Sequence, residues 1–588
     1  MTSTPVRAAA HRPLPSPGDA VAHTLVNCLL REMAQPTGNA PVAGGFVTLR
    51  LPRSGVELRV AVRRVSLLGA HRLRGPVLVR TSPAQGWSPV GWRQLAEHVR
   101  DELAAGTGAA NDEFLAQVEA SHRGVAASLA LPRPRPASDP HTRYLASERS
   151  LVFGHRFHPA PKARDAGPVA WTDYAPEAGA IFPVRLLAAR TPLVAEETAE
   201  PGAAGPLDRL GQAPAGHTLL PVHPWQYELL RSHPALAAAL RRGDVHDLGP
   251  SATRFAATAS VRTVYDGRTF LKFSLNVRIT NCLRKNARYE LAGAVAMTRL
   301  LAAARTDLAR RFPGTCVLRE PAYRTLNLPG RGGDVDEDVF EGLGVIVREG
   351  LAGVVRPGAT ALLAAAVADE YPTGPAHITR LLPAGADRAQ VLHWWRRYLA
   401  LLVPPVLAAY LDHGVVLEPH LQNVLVCVGG DGLPCQVLFR DLEGTKLLPA
   451  HHSAALAALP GHVAGPLTYD PQEGWTRLAY CLFVNNIGDM LAALADLCPG
   501  AEAALWQAVR ASVEDYAAEH GAHPRLRALL AGEPLPAKAN LRTRWDRVAD
   551  RRAGYVKLPS PLAARAPAAV RHAPGTSAAR RRANGGRT

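Results

Sequence analysis

The spacing of apolar residues divides the chain into amphipathic helices and short strands. Helical spacing is found in AVAHTLVNCLLREMA, GWRQLAEHVRDELAAGT and NDEFLAQVEASHRGVAASLAL, the last capped by Asn111 or Asp112. GGFVTLRLPRSGVELRVAVRRVS alternates around an RSG turn and predicts a hairpin. The C-terminal half is mainly helical, with TALLAAAVADEY, HWWRRYLALLVPPVLAAYL (kinked or broken at Pro404 and Pro405) and EGWTRLAYCLFVNNIGDMLAALADL. The predicted fold class is α+β.

A second hairpin is predicted in FAATASVRTVYDGRTFLKFSLNVRITNCLRKN, where a DG turn separates β-branched, alternating runs. A two-residue turn places Thr263 and Lys272 on one face and Ser260 and Arg262 on the other. A one-residue bulge would invert this arrangement, so the face that meets a ligand stays open. Charged residues on a hairpin normally lie on its solvent-exposed face. Four cations among hydroxyls, ending at a helix start, also make a cradle for an anion.

The densest set of polar residues lies in HGVVLEPHLQNVLVCVGGDGLPCQVLFRDLEG. Glu418, His420 and Asn423 precede two strands joined by a Gly-rich turn, and Asp441 and Glu443 follow them. A loop Asn and a strand-end Asp are hard oxygen ligands of the kind that hold Mg²⁺ beside a triphosphate. The alternative is that His420 and Asn423 only cap a turn. Five polar groups around two apolar strands favour a functional site.

A cationic loop, GHRFHPAPKAR, carries His155, His158, Lys162 and Arg164 on a path that Gly and Pro keep non-helical. Such a loop is commonly a solvated face. Imidazole and ammonium groups also donate hydrogen bonds to oxygen, so the loop is equally able to bind a carboxylate.

The formal charge of +17 raises the question of nucleic-acid binding. Six of these charges lie in residues 559–588, and no RNA-binding signature is present. Arg-rich composition explains the excess best, an anionic small-molecule pocket comes second and nucleic acid third. The seven cysteines form no CxxC pair and fit reduced cytosolic thiols. No secretory signal, membrane span, Walker loop or dinucleotide-binding turn is recognisable.

Seven motifs together resemble the NRPS-independent siderophore synthetases of the IucA/IucC (aerobactin synthetase-like) family. They are GHRFHPAPKAR, HPWQ, ASVRT with LKFSLNVRITNCLR, VIVRE, HGVVLEPHLQNVLV, RDLEG and KANLRTRW. The resemblance implies a multi-domain cupped hand with thumb, fingers and a largely helical palm, and a homodimer. It also implies that ATP and Mg²⁺ serve to adenylate a carboxylate, commonly of citrate, which is then condensed with an amine, hydroxylamine or alcohol in the cytoplasm.

The resemblance also implies residue roles. The ATP-binding residues are Ser260, Arg262, Thr263, Lys272, Asn281, Gln422 and Asn423. The catalytic residues are His420, Arg284 and Arg348. The substrate-binding residues are His158, Lys162, Thr280 and Glu418. The metal ligands are Asp441, Asn423 and Glu443. One departure is that Arg156 follows Gly154-His155, where the family has Pro.

At about 150 residues per unit the chain divides into three or four parts. The predicted parts are a disordered N-terminus (1–16), a thumb-like domain (17–140) ending in a Pro-rich linker (132–140), a fingers-like domain (141–390), a palm-like domain (391–558) and a flexible basic tail (559–588).

The competing interpretation is a small-molecule kinase. In kinases a base precedes a metal-binding Asn by five residues, and a metal-binding Asp follows a hairpin. Glu418, Asn423 and Asp441 have this spacing. A Glu in place of the usual Asp and the absence of a Gly-rich loop argue against it. A third, non-catalytic interpretation is a basic scaffold or RNA binder acting through the tail.

Overall fold

A computed structural model describes residues 13–34, 41–132, 139–164, 170–279, 282–330, 332–548 and 552–563. Most of the predicted disordered N-terminus, of the Pro-rich linker and of the basic tail lies outside the described residues. Thr280 and Asn281 also lie outside them. Mixed helix and sheet is confirmed, since 43% of the chain is helical and 22% is strand. The cupped-hand shape stays a prediction.

The N-terminal unit packs three helices on an antiparallel sheet of five strands in sequential order. Its helices are α1 (Pro17–Leu29, continued by a π-helical turn, Leu30–Ala34), α2 (Trp92–Thr107) and α3 (Glu113–Ala130). Its strands are β1 (Val42–Ala43), β2 (Phe46–Arg50), β3 (Glu57–Arg64), β4 (Arg72–Arg80) and β5 (Ser88–Val90). The predicted helices and hairpin are confirmed, and Asn111 caps α3 by accepting from the Glu113 N–H.

The middle of the chain forms an eight-stranded antiparallel sheet in the order β7-β15-β16-β11-β10-β9-β6-β8. Its strands are β6 (Ile181–Arg190), β7 (Val194–Thr198), β8 (His217–Val222), β9 (Val245–Ala257), β10 (Thr263–Tyr265), β11 (Thr269–Phe273), β15 (Ala322–Leu326) and β16 (Val345–Glu349). Around it lie α4 (Pro140–Arg149), α5 (Gly205–Asp208), α6 (Pro224–Leu230), α7 (Pro234–Arg242), the hairpin β12 (Leu275–Ile279) and β13 (Cys282–Arg284), α8 (Arg288–Leu300), α9 (Ala302–Arg311) and α10 (Glu337–Gly342).

A second sheet, in the order β14-β20-β19-β17, forms the base of the C-terminal unit. Its strands are β14 (Thr315–Val317), β17 (Thr360–Leu363), β19 (Val424–Val428) and β20 (Pro434–Phe439). Since β14 and β17 come from the predicted 141–390 domain and β19 and β20 from the 391–558 domain, those two proposed domains share one sheet.

Helices cover this second sheet and complete the C-terminal unit. They are α11 (Ala364–Val367), α12 (Arg388–Leu411), α13 (Pro449–Ala457), α14 (Gly461–Ala464), α15 (Pro471–Ala479), a π-helical segment (Tyr480–Ile487), α16 (Gly488–Leu497), α17 (Glu502–His520), α18 (Pro524–Leu530) and α19 (Asn540–Trp545). Two short ribbons pair β18 (Val415–Val416) with β21 (Lys446–Leu447), and β22 (Leu535–Lys538) with β23 (Tyr555–Leu558). From α19, Leu541 and Trp545 pack in the core of the N-terminal unit.

Three local predictions were wrong. Residues 360–363, predicted helical, form the fully buried strand β17, because pairing with β19 outweighs the weak helix preference of a short apolar run. Helix α12 runs unbroken through Pro404 and Pro405, since buried aromatic and aliphatic side chains hold it on both sides of the prolines. The β10–β11 connection has three residues (266–268) and not two, and Tyr265 pairs with Phe270, which shifts the register by two and leaves the faces unchanged.

One segment, Pro471–Leu497, is long and apolar enough to cross a membrane by length and composition, with a mean hydropathy of 1.4 in its most apolar window. That window is 94% buried inside the fold. A core helix has the same composition, and here the segment packs in the largest hydrophobic cluster.

Candidate active site

The chain between β9 and β10 turns sharply at Val261, whose φ of 66° lies in the left-handed region that β-branched residues rarely adopt. Thr263 then pairs directly with Lys272, so the prediction that they share a face is confirmed. Arg262 was predicted on the opposite face from Lys272, yet both side chains reach Glu443. Strand alternation does not hold for Arg262, because it lies in the turn and not in β10.

The end of the β19–β20 hairpin meets this turn in a group of charges, which we call the charge cluster: Arg262, Lys272, Glu320, Arg348, Asp441 and Glu443. Lys272 Nζ binds Asp441 Oδ1 and lies 2.7 Å from Glu443 Oε2. Arg262 Nη2 is 2.7 Å from the same oxygen of Glu443. Arg348 binds the fully buried Glu320 and lies 3.1 Å from Asp441 Oδ1. Residues about 170 positions apart therefore share one site.

The cations of the charge cluster control its acids. Burial alone would raise the pKa of Asp441, but Lys272, Arg348 and Arg262 hold that pKa well below its usual range. Burial likewise raises the pKa of Glu443, but Lys272 and Arg262 outweigh burial and lower that pKa to about 2. The two acids in turn raise the pKa of Lys272 against its burial. Asp441, Glu443 and Lys272 are therefore charged at neutral pH.

The predicted magnesium ligands fit that ion chemically. In the part of the chain that the structure describes, no three His, Cys, Asp or Glu side chains gather into a metal cluster. Asp441 and Glu443 are nevertheless two ionised carboxylates converging on one ammonium group. Asn423 lies at the same hairpin end, where its carbonyl accepts from the Arg440 N–H at 3.0 Å. Mg²⁺ is commonly held by one or two carboxylates and completes its shell with water and phosphate oxygens.

A cavity of about 360 Å³ opens beside the charge cluster, within the usual size range of ligand pockets. The predicted site residues that line it are His158, Lys162, Ser260, Arg284, His420 and Gln422. Arg284 connects cavity and cluster, because its side chain lines the cavity while its backbone oxygen lies 3.4 Å from Arg262 Nη1. The other predicted residues of the charge cluster do not line the cavity.

His420 faces the cavity from a loop that a π-helical segment supports. In that segment, Asn485 Oδ1 accepts from the Leu421 N–H at 2.9 Å, and Asn486 donates to the Pro419 carbonyl at 2.9 Å. Burial lowers the pKa of His420, while Glu418 opposes this shift, so the imidazole is neutral at neutral pH.

Glu418, predicted to bind substrate, does not line the cavity. Its carboxylate is buried and forms an ion pair with Arg477, and it is Arg477 that lines the cavity. The resemblance implied a direct contact with the substrate, whereas in the structure Glu418 pairs with a cation that lines the cavity.

Residues 153–164, which we call the cavity loop, form another wall. Lys162 binds Glu177, which Arg164 also contacts at 3.1 Å. Burial lowers the pKa of Lys162, whereas these two cations overcome burial at Glu177 and set its pKa at about 2. The loop packs closely against Gly124 of α3. A Cβ at that position would lie 2.5 Å from the Lys162 carbonyl oxygen, so a larger residue would displace the loop.

Arg156, the departure from the family motif, holds the cavity loop to its surroundings. Its Nη2 donates to the His71 carbonyl at 2.6 Å and lies 3.2 Å from Glu370. In the same loop, burial lowers the pKa of His155 to about 3, and its Nε2 lies 3.3 Å from Asn485.

Several cavity residues were not assigned from the sequence: Glu148, Asp369, Arg477, Asn485, Lys538 and Asn540. Two features of the sequence point to some of these residues. Lys538 and Asn540 belong to KANLRTRW, which carried the resemblance, and an Asn pair interrupts the apolar run LFVNNIGDML. π-Helical segments inside helices frequently mark functional sites, but they leave no pattern in the sequence.

The chain is similar to known proteins over most of its length. The model of the IucA / IucC family matches residues 143–369, and that of the ferric iron reductase FhuF-like transporter family matches residues 392–553. The rhizobactin siderophore biosynthesis protein RhbC of Rhizobium meliloti is 28% identical over 92% of this chain and 96% of its own length. The L-2,3-diaminopropanoate–citrate ligase of Staphylococcus aureus is 29% identical over 62% of this chain and 65% of its own.

The fold is that of a solved relative. ATP-bound aerobactin synthetase IucA of Klebsiella pneumoniae superposes with a TM-score of 0.79 at 22% identity, covering 93% of this chain and all of that one. The architecture extends over nearly the whole chain, and the family match covers the cavity loop, the turn at Val261 and Arg348. Residues 143–369 of the chain are thus similar to the IucA / IucC family.

Proposed function

We propose that the chain is a siderophore synthetase that uses ATP to join a carboxylate of citrate, or of a citrate-like polycarboxylate, to an amine, hydroxylamine or alcohol. The observation that carries the proposal is the cavity lined by His158, Lys162, Arg284 and His420 directly beside the charge cluster. Relatives named as citrate ligases support the choice of acid. The structural neighbour with bound ATP supports the choice of nucleotide.

The first step brings a polyanionic carboxylate onto a polyanionic triphosphate, so its barrier is largely electrostatic. We assign the triphosphate to Arg262 and Lys272, with hydroxyls from Ser260 and Thr263. In the structure these two cations neutralise Asp441 and Glu443. If phosphate replaced the acids as their partner, Asp441 and Glu443, with Asn423, would be the residues that could hold Mg²⁺. The ion would withdraw charge from the phosphate oxygens.

The acid is assigned to the cavity, where His158 and Lys162 donate hydrogen bonds to its carboxylates. Arg284 and His420 lie where the reacting carboxylate meets the α-phosphate, and Arg348 acts from the charge cluster. Attack of the carboxylate oxygen on the α-phosphorus releases pyrophosphate and leaves an acyl–AMP anhydride. A neutral nucleophile then forms the new bond to the acyl carbon and gives up a proton, and AMP leaves. Removing one well-placed donor in such a site typically costs roughly 10²–10³ in rate.

The kinase alternative requires Glu418 to accept a proton from a substrate hydroxyl. Its carboxylate is instead buried against Arg477, outside the cavity. This contact argues against the kinase alternative. The sequence also has no Gly-rich loop of the kind that kinases use.

The deciding experiment incubates the protein with ATP, Mg²⁺, citrate and a diamine and identifies the phosphate product. Pyrophosphate with AMP supports adenylation, whereas ADP supports phosphoryl transfer. Omitting citrate is the control, since pyrophosphate release without an acid would not report ligation. A grid of acids and amines then identifies the substrates, and sedimentation tests the homodimer that the family implies.

A further inference from the structure

His420 lies in a loop, residues 417–423, that connects β18 to β19 without helix or strand structure of its own. We call it the His420 loop. Within the loop, the Asn423 N–H donates to the His420 carbonyl at 2.8 Å. The Leu421 carbonyl accepts from the Ala365 N–H at 3.1 Å. Since peptide groups away from water need partners, the other peptide groups of the loop depend on neighbouring elements.

Two consecutive asparagines of the π-helical segment bond the peptide units on either side of the His420 Cα. Asn486 Nδ2 donates to the Pro419 carbonyl at 2.9 Å, in the unit before it. Asn485 Oδ1 accepts from the Leu421 N–H at 2.9 Å, in the unit after it. Because each peptide unit is planar, fixing both units fixes the two backbone dihedrals of His420 and hence the direction of its side chain. We call Asn485 and Asn486 the asparagine pair.

Asn486 is itself fixed from the opposite side. It is fully buried, and its Oδ1 accepts from the Tyr398 hydroxyl of α12 at 2.7 Å. The carbonyl of Pro419 can only accept, so the amide has one orientation that satisfies both partners. Asn486 does not line the cavity, whereas His420 does. Its amide therefore reaches the cavity only through the backbone that carries His420.

The π-helical segment (Tyr480–Ile487) allows neighbouring side chains to reach the same loop. Consecutive side chains of an α-helix are turned by roughly 100° from each other, and the wider turn of a π-helix reduces that angle. The surrounding residues of the segment are apolar and pack in the largest hydrophobic cluster. Burying two amides there is unfavourable unless they are bonded, so apolar packing does not account for the asparagine pair.

Resting on the proposed function, we propose that the asparagine pair are positioning residues that set the direction in which His420 faces the reacting carboxylate and the α-phosphate. Loss of either bond frees one peptide unit beside His420 and leaves the cavity residues in place. A displacement of about 1 Å at a reacting centre can cost about a hundredfold in rate. Asn485 also lines the cavity, so Asn486 gives the more direct test.

The test compares Asn486→Leu with Tyr398→Phe. Leucine has the same branching as asparagine but no hydrogen-bonding group, so the Pro419 carbonyl loses its partner. Tyr398→Phe removes the other hydrogen bond of the same buried amide and leaves the one to Pro419 intact. Both variants lose a buried hydrogen bond, so both should unfold at a lower urea concentration than the unaltered protein.

Pyrophosphate release is measured with ATP, Mg²⁺ and citrate, with hydroxylamine as a small nucleophile. In Asn486→Leu, kcat should fall about tenfold to a hundredfold, while the KM values for citrate and ATP stay within about threefold. Tyr398→Phe should keep a kcat within about twofold of the unaltered protein. Hydrogen exchange of the peptide covering residues 417–424, followed by mass spectrometry, should be faster in Asn486→Leu than in Tyr398→Phe.

Asn485→Leu breaks the bond on the other side of His420 and should also lower kcat, which keeps the proposal testable if Asn486→Leu does not fold. Val484→Ala is its control, because Val484 is buried in the same segment and does not line the cavity. This variant should lower stability and leave kcat unchanged.

An unchanged kcat in both leucine variants would overturn the positioning role. Equal losses of kcat in Tyr398→Phe and Val484→Ala would also overturn it, since they would show that the pair only stabilises the fold. Failure of the unaltered protein to release pyrophosphate with every acid would instead refute the proposed function.

Discussion

Replacing Lys272 by Met tests whether the charge cluster is held together by its cations. The Lys272 side chain is 2% exposed and contacts two carboxylates, both of which remain buried when its ammonium is removed. The fall in the pKa of Glu443 from 4.5 to about 2 corresponds to about 3 kcal/mol, of which Lys272 supplies the larger part beside Arg262. With a comparable contribution from Asp441, we expect Lys272→Met to lower the free energy of unfolding by about 3 kcal/mol, as for other broken buried pairs.

The pH dependence gives this prediction its sign. A carboxylate whose pKa is depressed in the folded state stabilises the fold above its unfolded pKa, and the stabilisation is lost as pH falls through the folded value. For Glu443 that window runs from 4.5 down to about 2. The deficit of Lys272→Met should therefore be constant between about pH 7 and 5 and shrink below that range.

Urea unfolding followed by tryptophan fluorescence at several pH values measures both effects. Lys285→Met is the matched control, because Lys285 also contacts two carboxylates, but those of Asp338 and Glu341 are 73% and 23% exposed and its own side chain is 18% exposed, so its loss should cost less. A deficit in Lys272→Met no larger than that of the control, or one that persists unchanged at pH 3, would refute the electrostatic account of the cluster.

Three further predictions concern the cavity and its supports. His420→Ala and Arg284→Ala should each abolish pyrophosphate release while circular dichroism stays unchanged, and near-normal turnover in both would show that the site is wrong. Gly124→Ala should displace the cavity loop, whose backbone oxygen lies 2.5 Å from the added Cβ, and raise the KM for citrate about tenfold or more. Its control is Gly106→Ala, which meets open space and should leave that KM unchanged. Glu148→Gln leaves the buried Arg440 without its counter-charge. Thermal or urea unfolding should therefore show a free energy of unfolding lower by about 3–5 kcal/mol.

Much of the local structure follows from residue spacing. Period-two alternation predicted the β2–β3 and β10–β11 hairpins. Thr263 and Lys272 share a face as predicted although the loop is longer than expected, because a shift of two residues preserves the alternation. Helical spacing likewise located α1, α2 and α3. These features depend on neighbours within a few residues, which a sequence displays directly.

Motif resemblance predicted which distant segments form the site, but it did not predict which side chains pair with each other. It brought together the 255–286 and 413–444 stretches, which the structure places in contact through Lys272 and Asp441. It did not indicate that Glu418 pairs with Arg477, a residue 59 positions away. Nor did it indicate the turn at Val261 that brings Arg262 to Glu443.

The sequence by itself determined which segments are helices and strands at most positions and which residues are chemically suited to bind acid, nucleotide and metal. The tertiary structure alone decided which of them meet. Hydrogen-bond geometry, burial and charge compensation depend on groups hundreds of residues apart, as when Asn27 and Asp369 line one cavity. Such contacts follow from the packing of whole units, and no local pattern encodes them.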